Sequence, residues 1–236
     1  MYPYYGYRYA YGFDWTILLV LVGVVICLLA QAKVSSTYAS YKKVKSHSGI
    51  TAAMAAEKML RGAGIYDVQI QHIAGNLTDN YNPKTKILSL SDATFRSDSV
   101  AAIGVAAHEC GHAIQDNTSY APLRIRGAIV PAVNIGATIS WPMILIGVLL
   151  GYARPLIYLG ILLFSLTVLF QLITLPVEFD ASGRALRILS ESGLLYPEEV
   201  SGARKVLTAA ALTYVAAAAS SLLQLLRLVL IFGRRD

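Results

Sequence analysis

Two histidines four residues apart, with a glutamate directly after the first, are the part of this chain best suited to chemistry. They are His108, Glu109 and His112, in the run VAAHECGHAIQ at residues 105–115. On an α-helix, positions i and i+4 share one face, one turn apart. Two imidazoles presented that way suit a single tetrahedral zinc ion. Glu109 stands beside that face, where it can reach a zinc-held water and take its proton. The bland alternative is an ordinary helix that happens to carry these residues. Against it stand the apolar, helix-forming flanks and a supply of acidic residues downstream that can complete a site.

A hydrolytic zinc needs three protein ligands and one open position. His47 and His72, the other histidines, precede the motif, one in a polar linker and one in a strand-like run. The third ligand is therefore sought among later carboxylates. Glu178 is the best placed, because the chain returns there from a long apolar stretch and a carboxylate so close to lipid needs a partner. Its competing role is a helix N-terminal carboxylate. Asp180, Glu191, Glu198 and Glu199 are weaker candidates, the last three fitting a solvated turn. Asp180 and Arg184 are spaced as a helical ion pair. Asp180 or Ser182 could hold a ligand imidazole in its tautomer. Tyr214, Arg184 and Arg204 are the candidates for stabilising an oxyanion. Cys110, two residues from His108, points off the ligand face and reads as a packing residue. Gly111 reads as a place where another backbone comes close.

These residues sit in a chain of 236 residues that is 56% hydrophobic and 14% charged, with a net charge of +6. Soluble domains carry about a quarter charged residues. Here the charge is missing in blocks, as in a membrane protein. No zinc-finger, RNP or basic-helix pattern accompanies the positive charge, so nucleic acid is not the partner. Cys27 and Cys110 lie far apart in apolar surroundings and imply no disulfide. Residues 1–14 form a Tyr/Gly-rich tail suited to a lipid–water boundary. Residues 15–32 are uncharged and long enough to anchor the chain, and Lys33, Lys42, Lys43 and Lys45 follow at once. The positive-inside rule then puts the N-terminus outside and residues 33–127, with the motif, in the cytoplasm.

In that segment residues 51–60 read as a helix capped by Thr51, and residues 67–73 and 86–90 as strands, with a turn at Asn82–Pro83. Residues 100–107 are too short to cross a bilayer and are fenced by Arg96, Asp98 and Asp116. Residues 128–175 read as a transmembrane hairpin, its first arm broken by Pro131 and Pro142. Residues 176–205 begin a polar helix that carries the third ligand. Residues 206–236 read as a membrane-associated helix. Whether it crosses is left open, because Gln224 and Arg227 interrupt it and Arg234–Arg235 would end outside. The fold class is a mainly α membrane protein with a small α+β zinc-peptidase domain.

The strings VAAHECGHAIQD, VEFDAS and LTAAALTYVAAA resemble the bacterial YugP-type membrane zinc metallopeptidases. The resemblance runs from the first span onward. More distantly, the chain is similar to the HtpX-like and CAAX prenyl endopeptidases, which place a membrane hairpin between H-E-x-x-H and a glutamate in E-x-x-x-D. The resemblance implies a gluzincin-like core, with one zinc on His108, His112 and Glu178 and with Glu109 as general base. Ser182 stands where the distant relatives have Asp. The expected function is a zinc endopeptidase of the bacterial cell membrane, active on the cytoplasmic side toward peptides or membrane proteins. Its rivals are an intramembrane protease of the site-2 type and a zinc-containing scaffold or chaperone. The strand at residues 86–90 is a candidate edge for an extended substrate.

Overall fold

The computed structural model describes residues 14–233. The tyrosine-rich residues 1–13 and the terminal Arg234–Arg235 lie outside the described residues. Six helices and three strands follow in the order α1 (Ile17–Tyr41), α2 (Ala52–Gly62), β1 (Gln69–Ile73), β2 (Asn80–Asn82), β3 (Ile87–Ser91), α3 (Val100–Asn117), α4 (Ala121–Leu149), α5 (Arg154–Glu191) and α6 (Pro197–Phe232). Four of them, α1, α4, α5 and α6, are long and apolar enough to cross a membrane. The α3 helix, which carries the two histidines, is not one of them.

Local chemistry explains where the small domain's helices begin. The hydroxyl of Thr51 accepts the backbone N–H of Met54, and that of Ser99 accepts the N–H of Ala102. Each satisfies a donor that the first turn leaves free. The sheet order is β1-β3-β2, with β1 parallel and β2 antiparallel to β3. Leu88 and Leu90 of β3 are fully buried and belong to one apolar core with Met59 and Leu60 of α2, Ile103 of α3, Leu189 of α5 and Leu207 of α6. Because β3 is paired on both sides, it offers no free edge, contrary to the sequence expectation. The strand with an unpaired side near α3 is β2, a three-residue element too short for alternation to reveal.

Two prolines interrupt the pattern of α4 and one that of α5, yet both helices run on. Pro131 and Pro142 lie inside α4, and Pro176 lies inside α5. Proline removes one ladder hydrogen bond, but a long helix packed in a membrane tolerates that loss. The consequence for function is direct. Residues 176–191 do not start a new polar helix, since they are the last turns of the same rod that carries the apolar residues 155–175.

The last helix packs antiparallel along α1 for its whole length. Gly202 meets the Tyr41 ring near one end, Gly23 meets Ser220 midway, and Arg227 donates to Asp14 at 3.0 Å at the other end. The helix whose course the sequence left open therefore reaches the level of the N-terminal end of α1. The arginine that interrupts it is held by an aspartate just before that helix. Across the bundle, α4 packs on α5, α5 on α6 and α6 on α1.

Candidate metal centre

His108 and His112 project from one face of α3, as their spacing requires. Glu178 comes to the same point from α5. The three ligand atoms lie within 4.8 Å of one another. Nε2 of His108 is 3.2 Å and Nε2 of His112 is 3.6 Å from Oε2 of Glu178. Each ligand is also held from behind. The Nδ1 of His108 pairs with Ser182 Oγ at 3.1 Å, and the Nδ1 of His112 with Gln115 Oε1 at 3.0 Å. With Nδ1–H donating outward, both Nε2 lone pairs face the cluster. The remaining Glu178 oxygen, Oε1, accepts Arg126 Nη1 at 3.1 Å. Two imidazoles and one monodentate carboxylate, oriented in this way, are a donor set that fits zinc with an open position.

The close approach of the two helices depends on Gly111. A methyl group there would lie 2.9 Å from the carbonyl carbon of Ala181, and nearer still to its oxygen. Gln115 then ties the helices together. Its Nε2 donates to Val177 O at 2.8 Å and to Asp180 Oδ2 at 2.9 Å, while its Oε1 faces His112. The residue is fully buried, so any of these groups left unpaired would be costly.

Glu109 is buried in the same cleft, and burial pushes its carboxyl up from the usual range against the pull of the two imidazoles. The cleft has a volume of about 470 Å3. Its polar wall includes Asp79, Asn80 and Tyr81 at β2, and its apolar wall comes from α4 and α6. Asp79 anchors the start of that wall by accepting Ser91 N at 2.8 Å and the Thr94 hydroxyl at 3.1 Å. Tyr81 donates to Asp116 at 2.8 Å.

The other sequence candidates separate clearly. Ser182 touches His108, whereas Asp180 reaches His112 only through Gln115. Asp180 does pair with Arg184, at 2.6 Å, and Arg184 also lies over the Tyr120 ring, so it is not among the cleft-lining residues. Arg204 is not there either, while Tyr214 lines the cleft beside Glu178. Cys110 is fully buried with its thiol toward Ala56 O at 3.7 Å, away from the cluster, and both cysteines are free. His72 pairs with Asp92 at 2.7 Å. Glu199 departs from the solvated turn expected of it. It is buried, accepting the N–H of Tyr196 at 2.7 Å and both the N–H and the ring of His47 at 2.7 Å. Arg126 and Gln115 went unnoticed in the sequence. The available signals were the last charge before an uncharged run and a glutamine inside an apolar helix.

A family profile described as "Putative neutral zinc metallopeptidase" matches residues 16–233. The chain belongs to this family. The metallopeptidase match runs from just before α1 to just after α6, so it takes in all four long helices as well as the histidine helix. The chain is also 46% identical over 216 residues to "Putative membrane protease YugP" of Bacillus subtilis (strain 168), covering 92% of this chain and 96% of that protein. No solved structure matches the chain significantly. A zinc metallopeptidase family with four apolar helices makes this a membrane protein of the protease class.

Proposed function

We propose that the chain is a membrane-anchored zinc endopeptidase, with the metal on His108, His112 and Glu178 and with Glu109 as general base. The observation that carries this reading is the convergence of the three ligand atoms in one cleft with each outer atom already tied. Zinc bound there supplies a Lewis acid for the peptide carbonyl and lowers the pKa of water to about 7. Glu109 takes the proton of the attacking water and returns it to the departing amine. Tyr214 stands on the cleft wall as the donor for the carbonyl oxygen while it gains charge. Arg126 holds Oε1 of Glu178 and so reserves Oε2 for the metal. The unpaired side of β2 accepts an extended substrate strand, with main-chain pairing giving affinity.

The active site is assigned to the cytoplasmic side. Lys42, Lys43, Lys45, Arg187, Arg204 and Lys205 all fall at the ends of the long helices nearest α3, as the positive-inside rule expects of that side. An intramembrane mechanism of the site-2 type needs the histidines in a span, whereas α3 is a helix of 18 residues outside the four apolar ones.

The test is cleavage of an unfolded protein by the purified, zinc-loaded wild type and by Glu109→Gln. Zinc content should be equal, and the variant's rate should fall by at least about 100-fold, the lower range for general acid–base catalysis. Equal rates in the two proteins would overturn the mechanism. A wild type that holds zinc and cleaves no substrate would favour the scaffold instead.

A further inference from the structure

The depth of the cleft in the membrane follows from the charges around it. Glu178 is the first charged residue after the uncharged residues 155–177 of α5, a run about 34 Å long at 1.5 Å per residue. Arg126, its partner at 3.1 Å, is the last charged residue before the uncharged residues 127–153 of α4. The ion pair therefore marks the same boundary on both arms of the hairpin. On α6 the uncharged run starts after Lys205, and the cleft is lined there by Val206, Ala210 and Tyr214. The wall thus begins at the boundary and continues into the apolar layer.

The cleft also opens sideways. Both α4 and α6 pack against α5, but they do not pack along each other. Between them, Gly127 of α4 has open space where a side chain would go, and Ala210 of α6 is only half-buried. Small residues thus border the cleft where α4 and α6 stand apart over α5. Opposite this gap stands the polar rim of Asp79, Asn80 and Tyr81. A soluble extended peptide has no use for an apolar wall that dips into the bilayer. A chain leaving the bilayer has one apolar flank and one polar flank, and matches both walls.

We propose that the substrates are polypeptides cut close to the end of a membrane-embedded segment, and that this segment enters between α4 and α6. The proposal rests on the peptidase reading. It names Gly127, Val130 and Ala210 as the wall for the apolar flank and β2 as the rail for the polar one. Because the scissile bond lies at the membrane boundary, nearness to the helix end promotes cleavage, whereas a site that merely projected into water would favour distant bonds.

The test uses the full chain in lipid vesicles with two substrates carrying the same cleavable sequence on the same transmembrane helix. One has it directly after the helix, and the other after a flexible Gly/Ser linker of about 30 residues. Both share one surface concentration. The adjacent site should be cut about ten-fold faster or more, the preference expected from seating a single apolar side chain. Equal rates, or faster cutting of the distant site, would overturn the proposal while leaving the peptidase reading intact. A second arm does not depend on turnover. In Glu109→Gln, a photocrosslinking residue at position 127 or 210 should capture the helix-adjacent substrate, and one at Met54, on the far side of α2, should not. Capture from position 54 alone, or from none of the three, would overturn lateral entry even if no substrate were cleaved.

Discussion

Replacing Gly111 with alanine tests the geometry on which the metal centre depends. The added methyl would stand 2.9 Å from Ala181 C and 3.1 Å from Ala181 Cα, with the carbonyl oxygen closer than either. Carbon atoms prefer separations of roughly 3.5–4.0 Å, so the two helices must part by about 1 Å. The atoms met are backbone and cannot rotate away. Glu178 sits one turn before Ala181 on the same helix and would move with it. Zinc–nitrogen bonds are about 2.0–2.1 Å, and a sound site keeps them within about 0.2 Å, so the displacement is about five times the tolerance. Overpacking alone costs about 1–3 kcal/mol. Zinc affinity should fall at least as far as when a supporting hydrogen bond is lost, about 10–100-fold. The assay is competition against a graded chelator, with thermal unfolding measured in parallel. Gly183→Ala is the control, since that glycine lies two residues beyond Ala181 with nothing within 4 Å of its missing side chain. It should hold zinc like the wild type and gain up to about 1 kcal/mol from helix propensity. If Gly111→Ala binds zinc and melts like Gly183→Ala, the close approach of α3 and α5 is refuted.

The residues behind the ligands lead to three further expectations. Gln115→Leu keeps the volume but removes the amide's bonds to Val177 O and Asp180 and frees the His112 ring, so stability should drop by about 1–3 kcal/mol, seen as a lower unfolding midpoint. An unchanged midpoint would mean that the helices are not held by this amide. Ser182→Ala should lower zinc affinity by about 10-fold without altering helicity, and Ser182→Asp should restore or exceed the wild-type value, because a carboxylate is the stronger acceptor for Nδ1–H. Zinc binding in Ser182→Ala equal to the wild type would remove Ser182 from the site. The buried Cys110 thiol should resist a water-soluble alkylating reagent in the folded protein and react after unfolding. Mass spectrometry reads that directly, and rapid labelling of the native protein at Cys110 would contradict its placement.

The candidate site was the most legible part of the chain, and its support the least. His108, Glu109 and His112 are readable because i, i+4 spacing on a helix is a local property. Glu178 was reachable by topology, since a hairpin returns the chain to its starting side. What stayed hidden depends on distant partners. Arg126 meets its carboxylate 52 residues later, and Gln115 meets Val177 and Asp180 62 and 65 residues later. The course of α6 was undecidable for the same reason. Arg227 looks like an obstacle to crossing until Asp14, 213 residues away, lies beside it. The prolines misled in the opposite direction. Local stereochemistry says that Pro131, Pro142 and Pro176 interrupt a helix, but the packing of long helices overrides it. The edge strand beside the cleft is β2 rather than residues 86–90, and NYN is too short to show alternation.

The proposed zinc site stands most directly on Glu178, the carboxylate that the hairpin brings to the two histidines of a separate helix. The measurement is zinc per chain in purified Glu178→Ala and wild type after dialysis against a weak chelator, with helicity checked by circular dichroism. One zinc per wild-type chain and a loss of stoichiometric zinc from an equally helical variant are the predicted results. Undiminished zinc in Glu178→Ala would contradict the account, because the metal would then be held without the residue that joins the hairpin to the histidines.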